Sequence, residues 1–183
     1  SLQILYLSYN RLTHVGSLGA TLTVNKVIRE LHLDHNAIIS QSMFELADGL
    51  TASVTLEVLM LGSNSIEDDG ALALAKALCT NRSLRLLGLE RNKIGNPGGS
   101  ALLEAMKQNL TIRGIELREN EVAPSVVAAT TLLCDANKVG RRFLLDQTIP
   151  NGMWPLLLRR SSSQPSILYF FLLSKPELCK RSA

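Results

Sequence analysis

Along this chain the aliphatic residues return in one fixed frame. Leu2, Leu5, Leu7, Asn10 and Leu12 are followed by Ile28, Leu31, Leu33, Asn36 and Ile38, then by Leu56, Leu59, Leu61, Asn64 and Ile66. Leu84, Leu87, Leu89, Asn92 and Ile94 make a fourth copy, and Ile112, Ile115, Leu117, Asn120 and Val122 a fifth. The asparagines stand 26, 28, 28 and 28 residues apart. Repetition at one period signals stacked units, none of which can bury its apolar face alone. Within each unit the two inner aliphatics flank a single residue, so they share one face of a short strand. The Asn follows where the chain turns away across the core. Its amide carries both donors and an acceptor, which suits it to pairing backbone groups buried in that turn.

The remainder of each unit has helical spacing. Met43, Leu46, Ala47 and Leu50 follow the i, i+3, i+4, i+7 rule, as do Ala71, Leu74, Ala75 and Leu78. Gly16, Gly70 and Gly98 recur six residues after the Asn, where the chain enters the helix. Asn81, Asn109 and Asn137 recur seventeen residues after it, where the helix is expected to end in a turn. The first interval lacks two residues, and the spacing places that deletion in the first helix, around Ala20 to Asn25.

A strand-plus-helix unit of 28 residues with these signatures resembles the ribonuclease-inhibitor-like class of leucine-rich repeats, over residues 1–137. The resemblance implies an α/β solenoid, a horseshoe with short parallel strands on the concave side and helices on the convex side. Five units are expected, the first incomplete at its N-terminus. Past Asn120 the period calls for apolar residues at 140, 143 and 145 and an Asn at 148, where the chain has Gly140, Phe143, Leu145 and Thr148. Residues 138–183 therefore read as a degraded repeat, or a continuous helix, followed by a helical C-terminal cap. Trp154, Leu156 to Leu158 and Ile167 to Leu172 supply apolar material for the cap, and Ser161 to Pro165 is a loop between them. The same segment resembles a module that trails such repeats in diatom-type algal proteins.

Composition narrows the class further. At 183 residues the chain suits one domain, and 46% hydrophobic with 19% charged residues excludes disorder. Aromatics reach only 4%, so the core must be aliphatic. The apolar stretch Ile167 to Ser174 is about half a membrane span, so no membrane partner is expected. With neither an initiator Met nor a basic-then-apolar leader, the chain reads as a fragment or a trimmed protein. Cys79, Cys134 and Cys179 lie far apart with no CxxC, the usage of reduced thiols in a cytoplasmic protein. The net charge of +3 divides unevenly: residues 1–137 carry 11 Lys and Arg against 14 Asp and Glu, and residues 138–183 carry 8 against 2. No aromatic residues interleave with that basic tail, which argues against nucleic acid.

Candidate chemistry is sparse. His32 and Asp34 point one way from a strand, with His35 entering the turn, but the neighbouring units offer no further metal donor. Glu67, Asp68 and Asp69 precede a helix start, where negative charge complements the helix dipole. Cys79 and Cys134 are read as matching, buried helix-end positions with no activating His. Gly95-Asn96-Pro97-Gly98-Gly99 is read as turn punctuation, and no phosphate loop, GxSxG or HExxH occurs. Neither a cofactor, nor a metal, nor an enzymatic activity is expected.

What remains is the concave face. With the aliphatic pair turned inward, the residues between and beside it face outward. The first outward row runs Tyr6, His32, Met60, Gly88, Glu116; the second Ser8, Asp34, Gly62, Glu90, Arg118; the third Tyr9, His35, Ser63, Arg91, Glu119. Tyr6, Tyr9, His32, Asp34, His35, Met60, Glu90, Arg91, Glu116 and Arg118 are the candidate protein-binding residues. NOD-like receptors and ribonuclease inhibitors use similar repeats for binding. By that likeness the chain is a non-catalytic interaction module, monomeric as an isolated fragment, within a larger intracellular signalling or scaffolding protein. The Ran GTPase-activating proteins have repeats of this class too, which makes regulation of a small GTPase the alternative; their acidic tail has no counterpart in this basic one.

Overall fold

The structure, a computed structural model, describes residues 2–141. The expected positions Phe143, Leu145 and Thr148, the cap built on Trp154, the basic tail and Cys179 lie outside the described residues. Five strands of three residues each alternate with helices: β1 (Ile4–Tyr6), α1 (Gly16–Val24), β2 (Glu30–His32), α2 (Gln41–Ala52), β3 (Val58–Met60), α3 (Asp68–Thr80), β4 (Leu86–Gly88), α4 (Asn96–Gln108), β5 (Gly114–Glu116) and α5 (Pro124–Val139). The strands form one parallel sheet in chain order. Equivalent residues pair directly, Leu5 with Leu31, Leu31 with Leu59, Leu59 with Leu87 and Leu87 with Ile115. This is the α/β solenoid that the repeat calls for.

Its core follows the aliphatic frame. Leu33, Ile38, Leu56, Leu59, Leu61, Ile66, Leu84, Leu87, Leu89 and Ile94 are wholly buried, joined by Met43, Leu46, Leu50, Leu74 and Leu78 from the helices. Each such side chain contributes roughly 1.5–3 kcal/mol by leaving water. No single unit closes around that surface, which is why the array folds as a stack.

Two residues are missing where the spacing placed them. α1 has 9 residues against 13 in α3 and α4, and Asn25 caps its end as Asn81 and Asn109 cap theirs. The shortened helix lies directly against α2 through glycines. A Cβ on Gly19 would run into the Glu45 carbonyl, and one on Gly49 into the Gly19 carbonyl. Backbone touches backbone there, which only glycine permits.

Three ladders of polar side chains tie the units together. In the first, Asn92 Nδ2 donates to the carbonyls of Leu61 (2.9 Å) and Leu89 (3.1 Å), while its Oδ1 accepts from the Ile66 amide at 3.0 Å. Asn36, Asn64 and Asn120 repeat this pattern on their own neighbours. In the second, the helix-ending Asn81 donates to Leu50 and Ser53 carbonyls and accepts from Ser83 and Leu84 amides; Asn109 does the same one unit on. The third was not foreseen. Ser40 Oγ accepts from the Glu67 amide, Asp68 Oδ1 from Gly95 and Gly98, and Asn96 Oδ1 from Ala123. Each holds the amide of the residue preceding the next unit's helix, Glu67, Gly95 or Ala123, and Asp68 also takes the first-turn amide of Gly98 in α4.

Four expectations require correction. Asn137 does not end a helix: α5 runs on to Val139 and closes at Gly140, which has φ 104° in the left-handed region. Asn137 still donates to the Asn109 and Ile112 carbonyls, but its buried Oδ1 has no partner because no turn amides follow it. Cys134 occupies the place of Leu78 and is buried, whereas Cys79 stands one residue further on and is only half-buried. Asn96 to Gly99 form the first turn of α4, not a turn before it. Asp68 does lie in the first turn of α3, yet its carboxylate serves the amides of the next unit.

Candidate functional site: the concave face

A bend in the backbone builds this face. The third outward residue of every unit, Tyr9, His35, Ser63, Arg91 and Glu119, has a positive φ between 53° and 59°. None is glycine, and each left-handed residue costs about 1–2 kcal/mol. The conformation lets the amides of Tyr9, His35, Ser63 and Arg91 reach the next unit's carbonyl at 2.8–2.9 Å and turns the following Asn into the core. The side chains of this row are thereby lifted away from the sheet.

Aromatic residues crowd the N-terminal end, as the sequence indicates, and they pair across units. Tyr6 stacks on His32 with ring centroids 4.4 Å apart, and Tyr9 on His35 at 4.2 Å. The tyrosines remain 68% and 77% exposed, large values for rings of that size. His32 Nε2 also lies 3.3 Å from Glu30 Oε2. Asp34, between the two histidines in sequence, is turned to other partners: Oδ1 accepts from the Gly62 amide at 2.9 Å and Oδ2 from Ser8 Oγ at 3.3 Å. Among the described residues no three His, Cys, Asp or Glu side chains are placed to hold an ion.

The middle of the face is a notch. Gly62 and Gly88 carry no side chain, and Met60 and Glu90, both half-buried, lie over them. Where a Cβ on Gly62 would sit, Glu90 Oε1 is 2.6 Å away and Asp34 Oδ1 3.1 Å. Met60 Cε and Glu90 Oε2 stand 2.7 and 3.2 Å from the corresponding point on Gly88. Glu90 Oε2 is buried and accepts no hydrogen bond from a protein group.

Towards the C-terminal end the charges pair off. Arg91 Nε donates to Glu119 Oε2 at 2.8 Å, and Arg118 Nε lies 3.4 Å from Glu116 Oε2. The hydrogen bond from Arg91 holds the Glu119 carboxyl below its usual range, and the same bond raises the Arg91 guanidinium. Both side chains are exposed, so solvent screens most of this effect. A further row, Arg29, Glu57, Arg85, was not anticipated: Glu57 accepts from Arg29 Nη1 and, at 3.1 Å, from Arg85 Nε. Opposite charges alternating at an interval of 28 residues were its signal in the sequence.

Elsewhere the surface is plainer. An open groove of about 430 Å³ runs between α2 and α3 on the helix side, lined by Phe44, Leu72, Lys76 and several alanines. Burial pushes the Cys134 thiol up to about 11, which makes it a poor nucleophile. No helix among the described residues is long and apolar enough to cross a membrane.

Comparisons with known proteins agree with this architecture. Residues 52–75 and 80–103 match one leucine-rich-repeat family model, and residues 1–20 match a second. No curated protein sequence matches the chain. Among solved structures it resembles actin-binding site 2 of leiomodin-1, with 20% identity and a TM-score of 0.66 over 77% of this chain and 83% of that one. It also resembles the tropomodulin C-terminal domain of Caenorhabditis elegans, with 16% identity and a TM-score of 0.67 over 80% and 91%. At such identities the likeness is one of fold. The chain carries leucine-rich repeats, stacked as a parallel α/β solenoid.

Proposed function

We propose that this chain is a non-catalytic interaction module that holds a protein partner on its concave face. One observation carries the reading: from the second unit to the fifth the inward frame and its Asn ladder repeat, while the outward rows differ in every unit and leave Tyr6 and Tyr9 exposed. Exposed tyrosines held in place by stacking are the side chains on which binding energy concentrates. Five strands about 4.8 Å apart give a face roughly 20–25 Å across, enough for part of a standard interface. The period of 28 supports membership in the ribonuclease-inhibitor-like class of repeats, and a place in a larger intracellular signalling or scaffolding protein accords with it. The leiomodin-1 domain of the same fold is described as an actin-binding site, which supports a protein ligand for this architecture.

Site-specific photo-crosslinking tests the reading. A benzophenone amino acid replaces Tyr9 on the concave face in one protein and Leu72 on the convex face in another. Discrete protein adducts are expected from Tyr9 and not from Leu72. Equal or exclusively convex labelling would move the site to the helices. Co-sedimentation with filamentous actin is the first partner to try, and GTP hydrolysis by small GTPases should be unchanged by adding the chain.

A further inference from the structure

We propose that the centre of the concave face receives a basic side chain, Lys or Arg, from an extended segment of the partner. The proposal rests on the concave-face reading above and specifies its chemistry. Charge accounting carries it. Glu57 is held by two arginines, Glu119 by Arg91 and Glu116 by Arg118. Among the described residues, neither Asp34 nor Glu90 forms an ion pair. Arg91 feels the charge of Glu90, but its Nε is committed to Glu119. The two unmatched carboxylates approach one point from opposite sides, above the α-carbon of Gly62.

Two further features make this more than a pair of acids. Gly62 and Gly88 leave room for the Glu90 carboxylate and the Met60 thioether to lie low on the sheet, so an incoming cation meets the carboxylate at the level of the face and not on an upright side chain. Met60 lies beside Glu90 in the same notch and offers a thioether to the aliphatic part of a Lys or Arg stem. One unit removed from the notch on the N-terminal side, Tyr6 and Tyr9 are exposed, each stacked on the histidine that stands between it and the third unit. Aromatic faces near unpaired carboxylates are the surroundings that attract guanidinium and ammonium groups. An acidic segment would meet Asp34 and Glu90 as like charges, and a purely apolar one would strand them out of water.

Fluorescence anisotropy with labelled hepta-arginine, hepta-lysine and hepta-glutamate peptides tests this on the full chain. Saturable binding of a basic peptide is expected, with none of hepta-glutamate. The double variant Asp34→Asn, Glu90→Gln should weaken it about tenfold or more. Both changes preserve shape, and the amide oxygen introduced by Asp34→Asn can still accept from the Gly62 amide. Tyr6→Leu and Tyr9→Leu should each weaken it about two- to fivefold. Asp48→Asn with Asp69→Asn, two exposed acids on the helix side, should leave it unchanged. Binding that falls equally in that helix-side variant, or that ignores the concave variants, would overturn the proposal, as would no saturable binding of either basic peptide. So would self-association abolished by the concave double variant, which would give the notch to a second copy. If Tyr9 crosslinks persist while the basic peptides fail, only the cation is refuted; if both fail, the concave reading falls too.

Discussion

Replacing Asn92 by alanine isolates the strut on which the stacking of units depends. The side chain is only 8% exposed and makes four hydrogen bonds. Three are donations, to Leu61, Leu89 and Glu90 carbonyls, and each of those carbonyls keeps a second donor: Leu61 from Asn64, Leu89 from Asn120 and Glu90 from the Ser63 amide. The fourth is different in kind. The buried Ile66 amide has Asn92 Oδ1 as its acceptor at 3.0 Å, so in Asn92→Ala it is stranded. A buried donor without a partner costs about 1–3 kcal/mol, and the weakened carbonyls add a fraction more. Asn92→Ala should therefore destabilise the chain by roughly 2–3 kcal/mol.

Asn10→Ala is the built-in comparison. Asn10 is exposed, and its two hydrogen bonds go to Leu7 and Ser8 carbonyls within its own unit. Its loss should cost well under about 1 kcal/mol. Urea melts followed by far-ultraviolet circular dichroism give each variant's midpoint and its m, which together convert to stability. Equal shifts for the two variants would refute the reasoning, since the same residue at the same repeat position would then matter regardless of burial. A lower m in Asn92→Ala would mean that the stack had come apart unit by unit.

Three more outcomes follow from the geometry. Ser63→Gly relieves a left-handed residue at φ 54° and should be neutral or stabilising by up to about 1 kcal/mol in the same melt, whereas Ser63→Val should destabilise. Gly49→Ala drives a methyl into the Gly19 carbonyl and should cost about 1–3 kcal/mol or more, seen as an earlier melt; an unchanged midpoint would show that α1 and α2 can part cheaply. In a Cys79→Ser, Cys179→Ser chain, Cys134 should resist a disulfide reagent at pH 8 and react once urea unfolds the protein, because its thiol titrates near 11 while folded; rapid labelling of the native chain would place it at the surface.

Much of this fold was legible because its determinants are side chains repeated at one interval. The strand pairs, the Asn ladder and the shortened first helix all follow from spacing alone. The third ladder, of Ser40, Asp68 and Asn96, was written there too, as three cap-forming residue types at intervals of 28. It was missed because Asp68 sits in an acidic run that a dipole already explains. Asn137 misled for the opposite reason. An Asn that donates to the preceding unit looks the same in sequence whether or not the helix stops after it, and here Gly140 sets the stop. The outward rows were placed correctly, but not their contacts. Which carboxylates find a cation depends on rotamers across three units, and no single unit encodes that.

The left-handed row shows where folding and binding meet on this surface. Elsewhere the division is clean: inward residues hold the array, and outward residues are free to differ because nothing in the core depends on them. Tyr9, His35, Ser63, Arg91 and Glu119 break that division, since they project outward and yet carry the backbone bend that sends each Asn inward. Glycine would be the least strained choice at all five places. None of the five has it, and two of them instead form an exposed Tyr–His stack and two an exposed ion pair. A row that gives up stability in every unit in order to keep side chains there is where a functional demand would leave its mark. Glycine at Tyr9 and His35 should therefore raise the melting midpoint while reducing capture of the partner. If those variants lost stability instead, the stack would be part of the scaffold, and the case for this end of the face as a binding surface would weaken.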